Sequence, residues 1–276
     1  MRTTALLLLL TLTATINAEI YRWRDSSGQL HFGDRPTSGA EQVTLPGIDL
    51  ERSRYPLDKV IDGDTIRLKD GRSVRLLGIN APEVAHHNSP AQSGGDAARE
   101  ALVALLPEKS VILEFDRERH DHYDRLLAHL FNDDGENINS KLLRQGIVYQ
   151  VARPPNLKYA DDYRSAEQQA RREQLGIWML DEYQLTPASG ADKFRNSFRR
   201  LTTQLISIKK RRKYSEVEFE GPLTARIENS LLEQLMAAVP GLRQPGTPLV
   251  IRGWVGTRSG IPSIKITHAS QFESTQ

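Results

Sequence analysis

The 276-residue chain contains no cysteine, which removes disulfides, thiolate zinc sites, iron–sulfur clusters and cysteine nucleophiles together. Any metal must be held by oxygen or nitrogen. An excess of charge is also missing: 37 Lys and Arg face 35 Asp and Glu, a net +2, so the whole-molecule field selects no anionic partner. Long apolar runs are scarce. The stretch from Ala5 to Leu10, continued by Leu12 and Ala14, is shorter than the ~20 residues of a membrane-spanning helix. With 38% hydrophobic and 26% charged residues, the composition is that of a soluble globular chain and excludes collagen, coiled coil, wholesale disorder and a polytopic membrane protein.

What is present divides the chain into segments. Arg2, the apolar stretch and the small residue Ala18 before Glu19 form a secretory signal peptide over 1–18, which predicts export to a bacterial periplasm or exterior. Residues 19–36 hold two aromatic-rich runs around Asp25 and Gly28, a hairpin signal resembling a small module of unknown function in exported bacterial proteins. Residues 37–56, with Gly39, Pro46, Gly47 and Pro56, read as a linker. Between 57 and 180 short alternating strands and tight turns are mixed with helical spacing at Ala97–Leu105 and Ala160–Leu175. Asn139 is expected to cap a further helix that stops at Gly146. A five-stranded barrel with three helices assembles these pieces.

The region 181–204 is expected to be a basic linker or helix, and 205–276 a small β-rich domain, a second OB-type barrel being one form it could take. No internal repeat is evident in the residues. Lys193, Arg195, Arg199, Arg200, Lys209, Lys210, Arg211, Arg212 and Lys213 give nine positive charges within 193–214 and no acid, so the rest of the chain sums to −7 (2 − 9). Such a run suits nucleic acid or an anionic membrane surface; the plainer alternative is a solvated helix or linker.

The residues that carry chemistry cluster in 62–83, with one outlier. If 64–68 and 74–79 are paired strands, Asp64 and the 79–83 loop meet at one end of the hairpin. Asp64, Asn80 and the Ala81 carbonyl offer the oxygen donors that a hard cation such as Ca²⁺ takes. Arg75 and Arg125 offer planar forks for phosphate oxygens. Two arginines and a cation opposite the carboxylate of Glu83 describe a phosphodiester hydrolase. The blander readings are an Asp-Gly-Asp turn, an Arg75–Glu83 structural ion pair, and solvated histidines at His86, His87, His120 and His122.

The sequences VIDGDT (60–65), RLLGINAPE (75–83), DHYDRLLA (121–128), LRQG (143–146) and GIW (176–178) resemble, in order and separation, the staphylococcal nuclease family. The resemblance covers about 57–180 and implies an α+β chain built on an OB-fold barrel. It also implies Ca²⁺-dependent phosphodiesterase activity on DNA and RNA, leaving 3′-phosphate ends, with Mg²⁺ or Mn²⁺ as other metals. Carried over by position, Asp64 resembles the metal carboxylate, Arg75 and Arg125 the phosphate-binding pair, Glu83 the residue that orients or activates water, and Tyr123 a nucleotide contact. Asn80 and Ala81 stand where the family has an aspartate and a threonine, which weakens the expected metal site. Beyond Gly146 the stretch YQVARPP (149–155) replaces a more tyrosine-rich segment, leaving Tyr149 or Arg153 for base stacking. The alternative is a nucleic-acid-binding or scaffolding module of the same fold without turnover. No protein partner is evident.

Overall fold

The computed structural model describes residues 20–25, 28–33, 39–43, 52–85 and 90–273. The expected signal peptide lies outside them, as do His86 and His87. The chain forms two compact units, Met1–Leu50 and Glu51–Gln276. Among the described residues, no helix is long and apolar enough to cross a membrane.

In the first unit, β1 (Ile20–Arg24), β2 (Leu30–Gly33) and β3 (Glu41–Val43) form an antiparallel sheet in the order β2-β1-β3. The expected hairpin is present, with Gly28 in the left-handed conformation (φ 82°) that its turn requires. Trp23 stacks on its cross-strand partner His31, ring centroids 5.6 Å apart. The third strand falls inside the segment expected to be a linker. Two strands alone are marginal in water, and β3 supplies the missing neighbour.

The second unit contains two barrels. In the first, β4 (Arg52–Asp62), β5 (Thr65–Leu68), β6 (Ser73–Leu76), β8 (Ser110–His120) and β9 (Leu126–Phe131) close in the order β4-β5-β6-β9-β8. The β6–β9 pairing is parallel and the others antiparallel. Alternation drives this arrangement: Ile66 and Leu68 are buried around exposed Arg67. Because β4 begins at Arg52, the barrel also takes residues assigned to the linker. A two-residue strand β7 (Ile79–Asn80) pairs with β10 (Tyr149–Gln150). The three expected helices are α1 (Gly95–Ala104), α2 (Ile138–Arg144) and α3 (Ala160–Arg172). Asn137, not Asn139, caps α2 by accepting from the Ser140 amide at 2.9 Å. Asn139 is buried instead, accepting from the Leu130 amide and donating to the Leu77 carbonyl.

The C-terminal part is a second barrel. Its strands are β11 (Leu185–Pro187), β12 (Ser197–Lys210), β13 (Tyr214–Phe219), β14 (Leu223–Glu228), β15 (Pro248–Arg258), β16 (Ile261–Ile266) and β17 (Phe272–Glu273), with α4 (Asn229–Ala238) before β15. Pairings run around the ring β12-β13-β14-β16-β15 and return to β12. The parallel pair again joins the third and fifth ring strands in chain order, and a helix again separates the third from the fourth. Strand order therefore repeats where residue identity does not.

The segment 181–204 is neither linker nor helix: short 3-10 turns lead through β11 into β12, so a boundary at 205 falls inside a strand. Nor is the basic run free of acids in space. Antiparallel pairing with β13 sets Lys209 against Glu218 (3.2 Å) and Arg211 against Glu216 (3.0 Å), while Arg200 pairs with Glu273 (2.7 Å). Opposite charges across a sheet partly cancel the run.

The barrels are joined by a buried ionic cluster. Arg252 on β15 and Glu167 on α3 are 3% and 1% exposed and make a two-pronged ion pair. Arg252 also donates to the Gln150 carbonyl (3.0 Å), and the Gln150 amide donates to Glu167 (2.8 Å). Phe198 on β12 stacks on Tyr149 of β10 at 4.0 Å. Removing one partner of such a pair leaves a buried charge uncompensated, so Arg252→Met should destabilise the chain by about 3–5 kcal/mol. Urea unfolding measures this, and adding Glu167→Leu to the same chain should recover much of the loss; an unchanged midpoint in Arg252→Met contradicts the assignment.

Candidate active site

Asp64 sits in the tight turn between β4 and β5, where Gly63 is required by close packing: a Cβ there would lie 2.5 Å from Ala98 Cβ and 2.7 Å from Ala81 Cβ. The turn thereby seats helix α1 and the 79–83 loop against the same point. Register then puts Arg75 opposite Thr65, so the guanidinium reaches its neighbour Asp64.

The carboxylate is nearly enclosed, 4% exposed. Its Oδ2 accepts from the Ala81 amide (2.7 Å) and pairs with Arg75, and its Oδ1 accepts from Thr65 Oγ1 (3.0 Å). Arg75 donates through Nη2 to Asn80 Oδ1 (2.7 Å). Asn80 Nδ2 donates to the Ala81 carbonyl (2.9 Å) and to the Tyr149 hydroxyl (2.8 Å). Arg75 is only a donor and a carbonyl only an acceptor, so this network fixes which way the Asn80 amide faces. Asp64, Arg75, Asn80 and Ala81 are thus brought together as the hairpin reading expected.

Arg125 shares a cleft of about 390 Å³ with Arg75 and Asn80. Asp121 holds it in place, accepting from Arg125 Nε (2.8 Å) and from the amides of Tyr123 and Arg125. Burial pushes the Asp121 carboxyl up, but these donors outweigh it and keep its pKa below the ordinary value. Tyr123 is 70% exposed, with its ring 5.5 Å from the Arg125 guanidinium, open to a nucleotide. Glu83 is exposed between buried Pro82 and Val84, its backbone bracketed by Gln92, and is not among the residues lining the cleft.

Tyr149 departs from expectation. It is 4% exposed, bonded through its hydroxyl to Asn80 and covered by Phe198, so its ring offers no open face to a base. Its role is to hold Asn80. Arg153 does line the cleft. Of the histidines, His122 lines it too and stands against the Tyr123 ring (3.8 Å).

One contributor, Asp121, escaped the sequence reading of the site residues, and Asp62, which stands in the 62–83 constellation, is given no role by sequence alone. Asp121 could have been found from its spacing four before Arg125. Asp62 accepts from the Asp64 amide (3.0 Å) and places a second negative group beside the buried carboxylate. Burial, against the pull of Arg75 and reinforced by Asp62, pushes Asp64 from 3.8 up to about 6.

The donor chemistry fits a hard cation: the Asp64 carboxylate, the Asn80 amide oxygen and the Ala81 carbonyl are hydrogen-bonded into one small loop. The charge is sparse, since Arg75 already pairs with Asp64. Among the described residues, no group of three or more His, Cys, Asp or Glu side chains is placed to hold a metal.

A family model described as staphylococcal nuclease homologue matches residues 73–180. The thermonuclease of Staphylococcus intermedius is 40% identical over 133 residues, covering 47% of this chain and 79% of that protein. The chain belongs to the staphylococcal nuclease family. As a member it is a nuclease, a hydrolase of ester bonds. Within the family, the thermonuclease of Staphylococcus hyicus is 35% identical over 127 residues, covering 45% of this chain and 75% of that protein. The SPbeta prophage-derived endonuclease YokF of Bacillus subtilis is 38% identical over 136 residues, 46% of this chain and 44% of that longer protein. A second family model, a domain of unknown function (DUF4124), matches residues 5–55. The barrel of this nuclease starts at Arg52, ahead of the matched span, and so includes Asp64.

The raised pKa of Asp64 has a thermodynamic sign. A group whose folded pKa exceeds its unfolded one contributes stability that is complete below the unfolded pKa, 3.8, and lost as pH rises through about 6. In EDTA, the unfolding free energy of Asp64→Asn should therefore gain on wild type by about 2–3 kcal/mol between about pH 4 and pH 7. Parallel stability profiles for the two proteins contradict the assignment.

Proposed function

We propose that this nuclease is an exported, metal-dependent phosphodiesterase that cuts DNA and RNA with low sequence specificity and leaves 3′-phosphate ends. The observation that carries the reading is the hydrogen-bonded set Asp64–Arg75–Asn80–Ala81, of which Arg75 and Asn80 line one cleft together with Arg125. Asp64, Asn80 and the Ala81 carbonyl would hold the ion, Ca²⁺ before Mg²⁺ or Mn²⁺, and the cation supplies charge to neutralise a phosphate oxygen. The sequence-read leader over 1–18 supports export to the periplasm or exterior. Ion pairing of Lys209, Arg200 and Arg211 with acids argues against an anionic membrane as the partner of 193–214.

The protein groups act as follows. Arg75 and Arg125 donate to non-bridging phosphate oxygens and stabilise charge that builds on them in the transition state. Arg75 uses Nη1 and Nη2 within the site, but a guanidinium has five donors, which leaves capacity for phosphate. Asp121 holds Arg125 in its productive orientation. Glu83, outside the cleft lining but two residues beyond Ala81, is assigned by its position in the family motif to orient a water and take its proton as the oxygen attacks phosphorus in line with the 5′ oxygen. The P–O5′ bond breaks and the departing oxygen takes a proton from solvent, giving a 3′-phosphate and a 5′-hydroxyl. The exposed Tyr123 ring packs on the nucleotide. Uncharged Asn80 in the ion's shell implies a weak site.

Replacing Arg75 or Glu83 with Ala should each lower cleavage of single-stranded DNA at least ~10²-fold. Wild-type rates in both variants contradict the mechanism. Asn80→Asp adds a carboxylate, and calorimetry should show Ca²⁺ binding tightened about tenfold. A chain that shifts DNA in gels yet leaves it intact across Ca²⁺, Mg²⁺ and Mn²⁺ would instead be a binding module.

A further inference from the structure

The cleft that holds Arg75 and Arg125 does not end at the first barrel. Asn80, Val151 and Arg153 line it and also line a second cavity, of about 270 Å³, whose far wall belongs to the second barrel. That wall carries Trp254 on β15 and Lys265 on β16. Val255 pairs with Ile264, so Trp254 and Lys265 are the adjacent residues of the two strands, outside the barrel core. Trp254 is 46% exposed, unlike Trp178, which is buried. No Asp or Glu lines this cavity. Among its cations, the charge of Arg252 is met by Glu167, while Arg153 and Lys265 are exposed.

An exposed indole beside exposed cations, with no acid in the wall, has the chemistry of a single-stranded nucleic-acid subsite. Every base has a π face to stack, and every linkage carries a negative charge. Continuity with the Arg75–Arg125 cleft gives the surface its direction, since a strand held at the cut site leads along Val151 and Arg153 toward Trp254. We propose that the second barrel provides a binding subsite for single-stranded nucleic acid, with a base stacked on Trp254 and backbone phosphates at Arg153 and Lys265. This rests on the reading of the neighbouring cleft as the place of phosphodiester cleavage. The second barrel then extends the grip on substrate beyond the nucleotides flanking the cut.

The test uses the full chain in EDTA, where binding is read without turnover, and an oligothymidylate of about ten nucleotides, within the range one such barrel covers. Tryptophan fluorescence should be quenched on binding, and the quench should vanish in Trp254→Ala. Anisotropy of the labelled oligonucleotide should show about tenfold weaker binding in that variant, the range expected for loss of one stacked base. The loss should be smaller for a thymidine dinucleotide, which cannot span both cavities. Lys265→Ala, at an exposed position, should reduce the slope of log K against log salt by about one. An unchanged affinity in both variants, equal losses on the two ligands, or no oligonucleotide binding overturns the proposal. Cleavage is assayed separately: quenching that depends on Trp254 without any turnover supports the subsite and defeats the nuclease mechanism. Turnover with Trp254-independent binding does the reverse.

Discussion

Arg252 stands on one barrel and the carboxylate that neutralises it on the other, both almost wholly out of water. Neither charge could be buried alone, because the cost of stripping its water would push the side chain outward or discharge it. Closing the two barrels on each other gives Glu167 its ion-pair partner, while Arg252 also has Glu273 of its own barrel at 3.6 Å. The same guanidinium donates to the Gln150 carbonyl, fixing the short strand that also carries Tyr149. Tyr149 in turn donates no open ring to substrate; Phe198 covers it and its hydroxyl receives the Asn80 amide. A chain of contacts thus runs from the core of the interface to Asn80, Arg75 and Asp64. The second barrel backs the site of the first.

That site balances charge closely. A buried carboxylate beside one guanidinium, with Asp62 next to it, holds its proton up to about pH 6. A second carboxylate at position 80 would strengthen cation binding and compete for Arg75; the amide instead joins Arg75 to Ala81 and Tyr149 without charge. The arrangement favours order in the side chains over added negative charge. Arg125 is held independently by Asp121, so the two arginines reach one cleft from separate supports.

The local parts of this design are legible in the sequence because they depend on neighbours along the chain. Alternation around Ile66 and Leu68, the turn at Gly63 and the spacing of Arg75 to Glu83 suffice to place the first barrel and to bring Asp64 beside the 79–83 loop. What depends on strand register is not legible. The basic run from Lys193 to Lys213 looks unopposed until β13 lies beside it and brings Glu216 and Glu218 into reach. The second barrel repeats the connectivity of the first with different residues, so the repeat is invisible to a comparison of letters. Asn139 reads as the cap in the sequence, but it is buried with hydrogen bonds to Leu77 and Leu130, and Asn137 caps the helix instead. Tyr149 reads as a stacking residue in the sequence, but the ring face it would offer is covered by Phe198, some fifty residues away.

The central claim is that the Asp64–Arg75–Asn80 cluster and Arg125 cleave phosphodiester bonds on the 5′-oxygen side. End-group analysis of single-stranded DNA and RNA incubated with the full chain and Ca²⁺ tests it most directly. The account predicts fragments bearing 3′-phosphate and 5′-hydroxyl ends, absent in EDTA; 5′-phosphate ends, or cleavage that persists in EDTA, would contradict it.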